Sequence, residues 1–565
     1  MLVKPAPFWK SASVNNDLVM EWTLPAAATI KIRGYNGQTY NYDVDWGDST
    51  TESGVTTYSK DHAYAAAGTY QVKISGDFAG FRMDNISGSW KSYLTRIIQW
   101  GNIEFKTFYG AFGGCDGLLS IPTDSPDISN LNITGTNKMF FGCSSLTSLD
   151  LSNWTNTSNF SGSGHSMLYG LQKCTSINLT GFDTSNLTNC QDFMAHCGRT
   201  AGGCTVVAPN LDWQATDTLY RMFYRACPTS RAAGVNFNRF LYELGVFSAP
   251  SGFTTSLDMS TWNNTSGINS MQYFAYNSPG ITSINITGWD TSNVTNMYRV
   301  FYGCTSLGEI IGLSTMDISS VTTAYQMFYN TRSLHFTNHN FGSSWNNWAA
   351  HTDNFNSFFY RNGYNLSAAS RGPVPTVSAW SMPNATGSMA NCFKEARYEA
   401  GSTLTINWNY PNVTSLSMAF YTIHGVDTLN INMTTTSALT NMHQLARVSP
   451  DLHTIVFGSN MDFSGVTTIN TAFFQISSTP TTLTFDASVD FGALTDIGSL
   501  VGSGSTRKMI TASYDALLVR LEATNSNTVT INVNASQYTG GSAADTARAA
   551  LIADHSWTIT DAGAV

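Results

Sequence analysis

Apolar and polar residues alternate in short stretches that return at a fixed interval along most of the chain. In one of them, Leu146–Leu151, the apolar positions fall on one side of an extended chain, which predicts a strand with one buried face. The preceding methionine, Met139, recurs at Met167, Met194 and Met222, at intervals of 28, 27 and 28 residues. A period of this size predicts stacked repeats, each of which buries its apolar face against its neighbours.

Equivalent positions of the repeats carry similar small or apolar side chains. Cys115, Cys143 and Cys304 each follow a glycine at one such position, so we expect small buried thiols there, with a single disulfide or a metal site as the alternatives. The cysteines between 190 and 204 are seven residues apart, unlike zinc ligands. The residues predicted to form the repeated core are Met139, Phe140, Cys143, Leu146, Leu149, Leu151, Trp154, Phe301, Cys304 and Leu307.

Tryptophans recur in the turn after the repeated strand. Trp154, Trp262 and Trp289 occupy this position, and Phe182 replaces them in one repeat. They could form a row of platforms on which sugar rings stack. Packing between successive repeats is the interpretation that we favour.

Two stretches, near 225–270 and 335–375, interrupt the period. Ser230–Leu244 has the apolar spacing of a short helix. Insertions in repeat proteins often map to the binding face, and aromatic residues among Asn and Ser are typical of recognition loops. The candidate receptor-binding residues are therefore the aromatic residues of the second stretch, Trp345, Trp348, Phe355, Phe358, Phe359, Tyr360 and Tyr364.

The N-terminal part follows a different pattern. Within 23–80, four β-prone stretches are separated by Gly-rich breaks, which predicts short strands at 29–33, 40–46, 56–58 and 69–75. The turn Trp46-Gly47-Asp48 and the later Gly68-Thr69-Tyr70 resemble the PKD (polycystic-kidney-disease) domain, although Ser49 replaces the second glycine of that family's turn. The resemblance implies an immunoglobulin-like β-sandwich that serves as a spacer or binding module.

Three aspartates surround this turn. Asp43, Asp45 and Asp48 offer carboxylate oxygens of the kind that bind calcium. Capping of the turn by the Asp48 side chain is the simpler interpretation.

The full repeat, clearest at 137–190 and 281–330, has the consensus MFxGCxSLxxLDLSxWDTSNVTxM. This consensus resembles the BspA-type leucine-rich repeat, which also occurs in mycoplasma-type and phage surface proteins. The resemblance implies a leucine-rich-repeat-like solenoid with a concave ladder of strands. It also implies a role in adhesion or surface recognition.

The last segment, 511–565, leaves the repeat pattern. Tyr514–Ala523 and Ala543–His555 have helical spacing, and Val529–Val533 is predicted to form a strand. The segment resembles one that recurs after such repeats in phage and bacterial surface proteins, and it would cover the last repeat.

The expected fold is therefore mainly β. An N-terminal arm at 1–22 precedes an immunoglobulin-like β-sandwich at 23–80. A leucine-rich-repeat-like solenoid follows at 81–510, and a small α/β cap at 511–565 closes the chain.

Charge and hydropathy limit the partners. The net charge is −9 and no run of Lys or Arg occurs, so we expect no nucleic-acid partner. No apolar run approaches the ~20 residues of a membrane helix, so we expect no membrane insertion. The first residues also lack the apolar core of a secretory signal.

The sequence lacks the common catalytic motifs. No Gly-x-Ser-x-Gly elbow, phosphate-binding loop or His-Glu-x-x-His motif occurs. His335, His339 and His351 lie in an Asn- and Gly-rich stretch that does not predict the helix a metal site would need. We therefore expect no catalytic residue, metal or cofactor.

These expectations define a function hypothesis. The first candidate is a non-enzymatic structural protein of a phage virion, a tail fibre, spike or capsid appendage that is assembled in the host cytoplasm and attaches to the host surface. The expected partners are other virion proteins, bound through an N-terminal region that includes Phe8 and Trp9, and a host-surface glycan or protein. We expect a homo-oligomer. The alternatives are a bacterial cell-surface adhesin and a polysaccharide-degrading spike.

Overall fold

The computed structural model describes residues 16–84, 87–129, 133–198, 205–207, 255–260, 265–477, 481–502 and 507–565. The protein is mainly β, with many short strands and two α-helices in the described parts of the chain. It divides into two compact units, Met1–Leu211 and Asp212–Val565. The helix predicted at Ser230–Leu244 lies outside the described residues.

The first unit begins with two antiparallel sheets. The strands are β1 (Leu18–Leu24), β2 (Ala28–Arg33), β3 (Asn41–Asp45), β4 (Thr51–Val55), β5 (Ser59–Tyr64), β6 (Gly68–Asp77) and β7 (Leu94–Gln99). Five of them pair in the order β4-β3-β6-β1-β7, and β2 pairs with β5. Trp22, Ile30, Val44 and Trp46 are buried in this part of the unit.

Three expectations for this region need correction. β1 begins at Leu18, inside the predicted arm, because its apolar residues pair with β6 on one side and with β7 on the other. β7 lies beyond the predicted boundary at 80 yet completes the same sheet. The stretch 56–58, predicted as a strand, is the connection between β4 and β5, where Tyr58 is 42% exposed.

The repeats of the first unit pair in parallel. Ile177 lies between Leu149 and Val206, so equivalent residues of three successive repeats are neighbours in one ladder. The sheets have the strand orders β12-β10-β8 and β13-β11-β9. The strands are β8 (Ile133–Thr134), β9 (Ser148–Asp150), β10 (Phe160–Ser163), β11 (Ser176–Asn178), β12 (Leu187–Asn189) and β13 (Thr205–Val207).

The second unit continues the parallel pairing. The strands are β14 (Thr255–Asp258), β15 (Ile281–Asn285), β16 (Glu309–Ile311), β17 (Thr386–Ser388), β18 (Arg397–Ile406), β19 (Asn412–Ser415), β20 (His424–Ile431), β21 (Thr454–Phe457), β22 (Thr482–Phe485) and β23 (Gly498–Ser499). In the four-stranded sheet β18-β20-β21-β22, Leu429 lies between Leu404 and Ile455.

A string of tight turns precedes the apolar strand in each repeat. Successive backbone amides there donate in turn to a carbonyl of their own turn and to a carbonyl of the next repeat. The Phe141 amide donates to the Lys138 carbonyl three residues back (3.2 Å), whereas the Phe140 amide donates to the Met167 carbonyl of the next repeat (2.9 Å). The turns need left-handed residues four apart, such as Lys138 (φ 57°) and Gly142 (φ 70°). This arrangement satisfies the amides without a continuous strand.

The ten residues predicted to form the repeated core are all buried, with at most 3% of any side chain exposed. The thiols of Cys143 and Cys304 donate to carbonyl oxygens of the preceding repeat, Phe112 (3.2 Å) and Ala275 (2.9 Å). Burial raises the pKa of Cys304 to about 12, so this thiol stays protonated.

The C-terminal segment packs two helices beside the last strands. These are α1 (Thr511–Thr524) and α2 (Ala543–His555), with β24 (Thr530–Asn532) and β25 (Thr558–Thr560) in the parallel sheet β23-β24-β25. Both helices occur where periodicity predicts them. The Ser542 hydroxyl caps α2 by accepting from the Ala544 (3.1 Å) and Asp545 (3.4 Å) amides. Neither helix, nor any other in the described ranges, has the length and apolar character to cross a membrane.

Candidate functional site: a tyrosine and arginine surface

The aromatic residues predicted to bind a receptor lie mainly in the core, which corrects that expectation. Trp345, Trp348, Phe355, Phe358 and Phe359 have no exposed surface, so none can contact a ligand from this position. The remaining two, Tyr360 and Tyr364, are half-buried.

The physical reason is that 335–375 includes a further repeat with longer connections. Phe359 stacks between Phe328 (centroids 5.6 Å apart) and Phe393 (4.9 Å), the equivalent residues of the neighbouring repeats. Its amide donates to the Cys392 carbonyl (2.7 Å), as expected for a member of the array.

The other candidate residues do not form a site together. Phe8 and Trp9 lie outside the described residues. His351 is fully buried against Trp348 and Phe355, whereas His339 lies 3.6 Å from a Glu309 carboxylate oxygen. Within the described ranges no three His, Cys, Asp or Glu side chains come close enough to hold a metal ion.

The three aspartates of the N-terminal turn instead bind nearby polar groups. Asp48 accepts from the Thr50 amide (3.1 Å) and faces the His62 ring (2.8 Å). Asp43 accepts from the Gly54 amide (2.7 Å) and Asp45 from the Gly47 amide (2.9 Å). These contacts are those of a capped turn.

A different set of aromatic and basic residues lines the turns of the second unit. The turn segment of each repeat has two left-handed residues four positions apart, such as Gln326 and Asn330. The side chain just before the second of them lies beside its equivalents in the neighbouring repeats. We call this set the ring column. Its members are Tyr276, Tyr302, Tyr329, Tyr360, Lys394, Tyr421, Arg447 and Phe474.

The first four rings of the ring column stack face to face. The centroids of Tyr276 and Tyr302 are 4.9 Å apart, those of Tyr302 and Tyr329 are 4.5 Å apart, and those of Tyr329 and Tyr360 are 4.6 Å apart. The planes of Tyr302 and Tyr329 differ by only 4°. Tyr329 and Tyr360 are half-buried, so their edges reach solvent while their faces pack.

Cations continue the ring column where the tyrosines stop. The Lys394 ammonium lies 5.9 Å from the Tyr360 centroid and 5.1 Å from that of Tyr421. The Arg447 guanidinium lies 5.2 Å from the Phe474 centroid. These distances are those of cation–π contacts, which help to fix long basic side chains in one place.

A second row of half-buried side chains runs beside the ring column. Tyr298 stacks on Tyr325 at 5.6 Å, and the Arg299 guanidinium lies 4.9 Å from the Tyr298 ring and 5.0 Å from the Tyr302 ring. The Arg299 Nε also donates to the Gln326 side chain (2.8 Å). The rows therefore hold several aromatic and guanidinium groups in fixed positions.

The tyrosine hydroxyls of this surface are neutral hydrogen-bonding groups. Burial raises the pKa of Tyr298 to about 12, and burial together with the nearby Glu395 carboxylate raises the pKa of Tyr360 to about 12. Each phenol can donate one hydrogen bond and accept others. Tyrosine and arginine are also the residues most enriched at energetically important contacts.

The sequence contains a signal for the ring column in its Phe-Tyr pairs, such as Phe328-Tyr329 and Phe359-Tyr360. Phe328 points into the core and is fully buried, whereas its neighbour Tyr329 is half-buried at the surface. Treating both aromatic residues of such a pair as core therefore misses the one that reaches the surface. The hydroxyl on the second residue is the feature that distinguishes the two positions.

The chain belongs to the family described as "Mycoplasma protein of unknown function, DUF285". The family model matches three segments, 106–231, 245–371 and 365–484, which together cover most of the repeats. No curated protein and no solved structure matches the chain.

Proposed function

We propose that the protein is a non-enzymatic recognition protein and that the tyrosine and arginine surface of its second unit is the binding surface. The observation that carries this proposal is the ring column. Its side chains occupy equivalent positions in successive repeats and are fixed by stacking. Tyr276 and Tyr302 are buried, whereas the members from Tyr329 onward are half-buried and reach the surface. Pre-positioned side chains lose little conformational entropy on binding, which favours recognition over an extended contact.

We further propose that the repeats form a BspA-type, leucine-rich-repeat-like solenoid and that the N-terminal sheets form a PKD-like, immunoglobulin-like sandwich. In support of the first, strands of successive repeats pair in parallel with equivalent residues side by side. In support of the second, antiparallel five-stranded and two-stranded sheets enclose buried tryptophans next to a capped Trp-Gly-Asp turn.

The carboxylates of the repeats favour a binding role over hydrolysis. Asp150 and Asp290 accept hydrogen bonds from the Ser152 amide (2.9 Å) and the Ser292 amide (3.0 Å) of their own turns. Hydrogen bonds from the serine side chains, together with these amide bonds, lower the pKa of both carboxyls. A glycoside hydrolase needs a carboxylic acid with a raised pKa opposite a second carboxylate, so these aspartates suit turn capping better.

The first setting that we propose is a phage virion, where the chain would act as a tail fibre, spike or capsid appendage in several copies. Its C-terminal segment resembles one that recurs in phage and bacterial surface proteins, which is compatible with this setting. The second setting is a bacterial cell surface, because the family is named for proteins of Mycoplasma, a cellular bacterium.

Mass spectrometry of purified phage particles and of cell-surface fractions from the source, with immunogold labelling of the chain, separates these settings. We expect the chain on particles, at the tail or over the head. Its absence from particles and presence on cells would replace the virion with the adhesin. Release of sugar from host envelopes by the purified chain would overturn the non-enzymatic proposal.

A further inference from the structure

Three guanidinium groups surround Tyr364, next to the ring column. The Arg397 guanidinium lies 4.1 Å from the centroid of this ring, that of Arg361 lies 5.5 Å away, and that of Arg332 lies 5.7 Å away. Arg332, Tyr364 and Arg397 come from three successive repeats. Each lies two or three residues after the second left-handed residue of its turn segment. The array thus brings basic side chains together that are distant in sequence.

Among the described residues, only one of these arginines has a carboxylate partner. Arg361 Nε lies 2.8 Å from Glu395 Oε2, whereas Arg332 Nε donates to the side-chain oxygen of Asn330 (2.7 Å). Arg397 has no carboxylate oxygen within 4.0 Å in the described part of the chain, and its buried Nε has no hydrogen-bond partner there.

A fourth arginine lies near Arg397, because the carbonyl of Gly372, the residue after Arg371, accepts from the Glu399 amide two residues after Arg397 (2.8 Å). Arg371 also has a buried Nε without a hydrogen-bond partner among the described residues, and it has no ion pair with them. Burial and the charge of Arg397 lower the pKa of Arg371, whereas the Asp451 carboxylate opposes this shift. Two half-buried cations therefore repel each other with no ion pair of their own in the described part of the chain, and a bound anion would relieve that repulsion.

The nearby acidic groups are already engaged. Asp451 accepts from the Gly425 amide (2.9 Å) and lies 3.3 Å from His424 Nδ1. His424 pairs with Arg397 in the strand register, and burial lowers its pKa. Glu395 is held by Arg361. Asp451 and Glu395 thus already have partners, and neither forms an ion pair with Arg332, Arg371 or Arg397 in the described part of the chain.

We infer that Arg332, Arg371 and Arg397 form a binding site for an anionic group, a sulfate or a carboxylate, next to Tyr364. Guanidinium groups present planar pairs of N–H donors that match the oxygen atoms of these anions. If the proposed function holds, the ligand class is an acidic or sulfated sugar of a surface glycan. The anion site itself does not depend on that proposal.

Isothermal titration calorimetry of the full chain with sodium sulfate, in a buffer of low and matched ionic strength, tests the inference. We expect saturable binding that is at least about tenfold weaker in the double variant Arg371→Gln, Arg397→Gln. If that variant does not fold, Arg332→Gln alone should weaken binding about threefold or more. Titration with glucuronate and with glucose distinguishes a carboxylate from a sulfate and from a neutral sugar.

The double variant Arg96→Gln, Lys173→Gln is the matched control, because it removes the same charge from the other unit. It should bind sulfate like the wild type. The inference is overturned if the wild type shows no binding of sulfate or glucuronate below about 10 mM, if the arginine variants bind unchanged, or if the control loses as much affinity. Anion binding without recognition of any cell or particle surface would instead contradict the proposed function alone.

Discussion

His351 should make the stability of the second unit depend on pH, and His351→Phe should remove that dependence. The imidazole is fully buried against Trp348 and Phe355, and burial lowers its pKa from 6.5 to about 4. Between these two values the unfolded state binds a proton that the folded state excludes. The stabilising effect of the neutral ring is therefore present above pH 6.5 and is lost as the pH falls toward 4.

The magnitude follows from the two pKa values. At pH 5 an unfolded histidine is mostly protonated while the buried one is mostly neutral, so linkage predicts a loss of about 2 kcal/mol relative to pH 7.5. This loss corresponds to an increase of about 30-fold in the population of locally opened molecules.

Hydrogen exchange measured by mass spectrometry is the suitable assay, because a long repeat array need not unfold in one step. The protection factors of peptides that cover 348–359 are compared between pH 7.5 and pH 5, after correction for intrinsic exchange rates. Over this pH change the protection factor of the wild type should fall about 30-fold more than that of His351→Phe. A phenylalanine fits the aromatic surroundings and cannot titrate.

Trp348→Phe is the control, because it perturbs the same core without removing a titratable group. It should retain the pH dependence of the wild type. Equal pH dependence in the wild type and in His351→Phe would refute the argument that burial keeps this imidazole neutral.

Three further predictions concern the core, the cap and the thiols. Trp380→Ala should lower the free energy of local opening around Trp380 by about 3–5 kcal/mol, measured by hydrogen exchange, because Trp380 stacks between Trp345 (6.1 Å) and Trp408 (5.2 Å). A change below about 1 kcal/mol would argue against this core. Ser542→Ala should cost about 1 kcal/mol in the same assay through loss of the α2 cap, whereas Ser542→Asp should cost less. The Cys304 thiol should resist alkylation until the chain unfolds, and rapid labelling of the native chain would contradict its burial.

The repeat period and the two C-terminal helices could be predicted from the sequence. Apolar spacing alone places Ala543–His555 correctly, because a helix of this length has a strong periodic signal. The strings of turns were harder to predict. Their left-handed positions are often occupied by ordinary residues such as Lys138, Arg299 and Gln326, so glycine does not mark them.

The aromatic residues of 335–375 show what composition cannot decide. The left-handed positions Gln326, Ser357 and Asn391 are 31 and 34 residues apart, longer than the usual period, which makes this repeat look like an insertion. Aromatic residues among Asn and Ser fit both a recognition loop and a repeat core. Only the pairing of Phe359 with its neighbours distinguishes the two.

The central claim is that the tyrosine and arginine surface binds the partner. The most direct test is binding of the labelled chain to an array of surface glycans and bacterial envelope fragments, with the variant Tyr329→Ser, Tyr360→Ser beside the wild type. Tyr169→Ser is the control, because Tyr169 has the equivalent position in the first unit and stacks on Phe141 at 4.9 Å. The account predicts binding by the wild type and the control, and at least about tenfold weaker binding by the double variant. Equal binding by all three proteins, or binding by none, would contradict it.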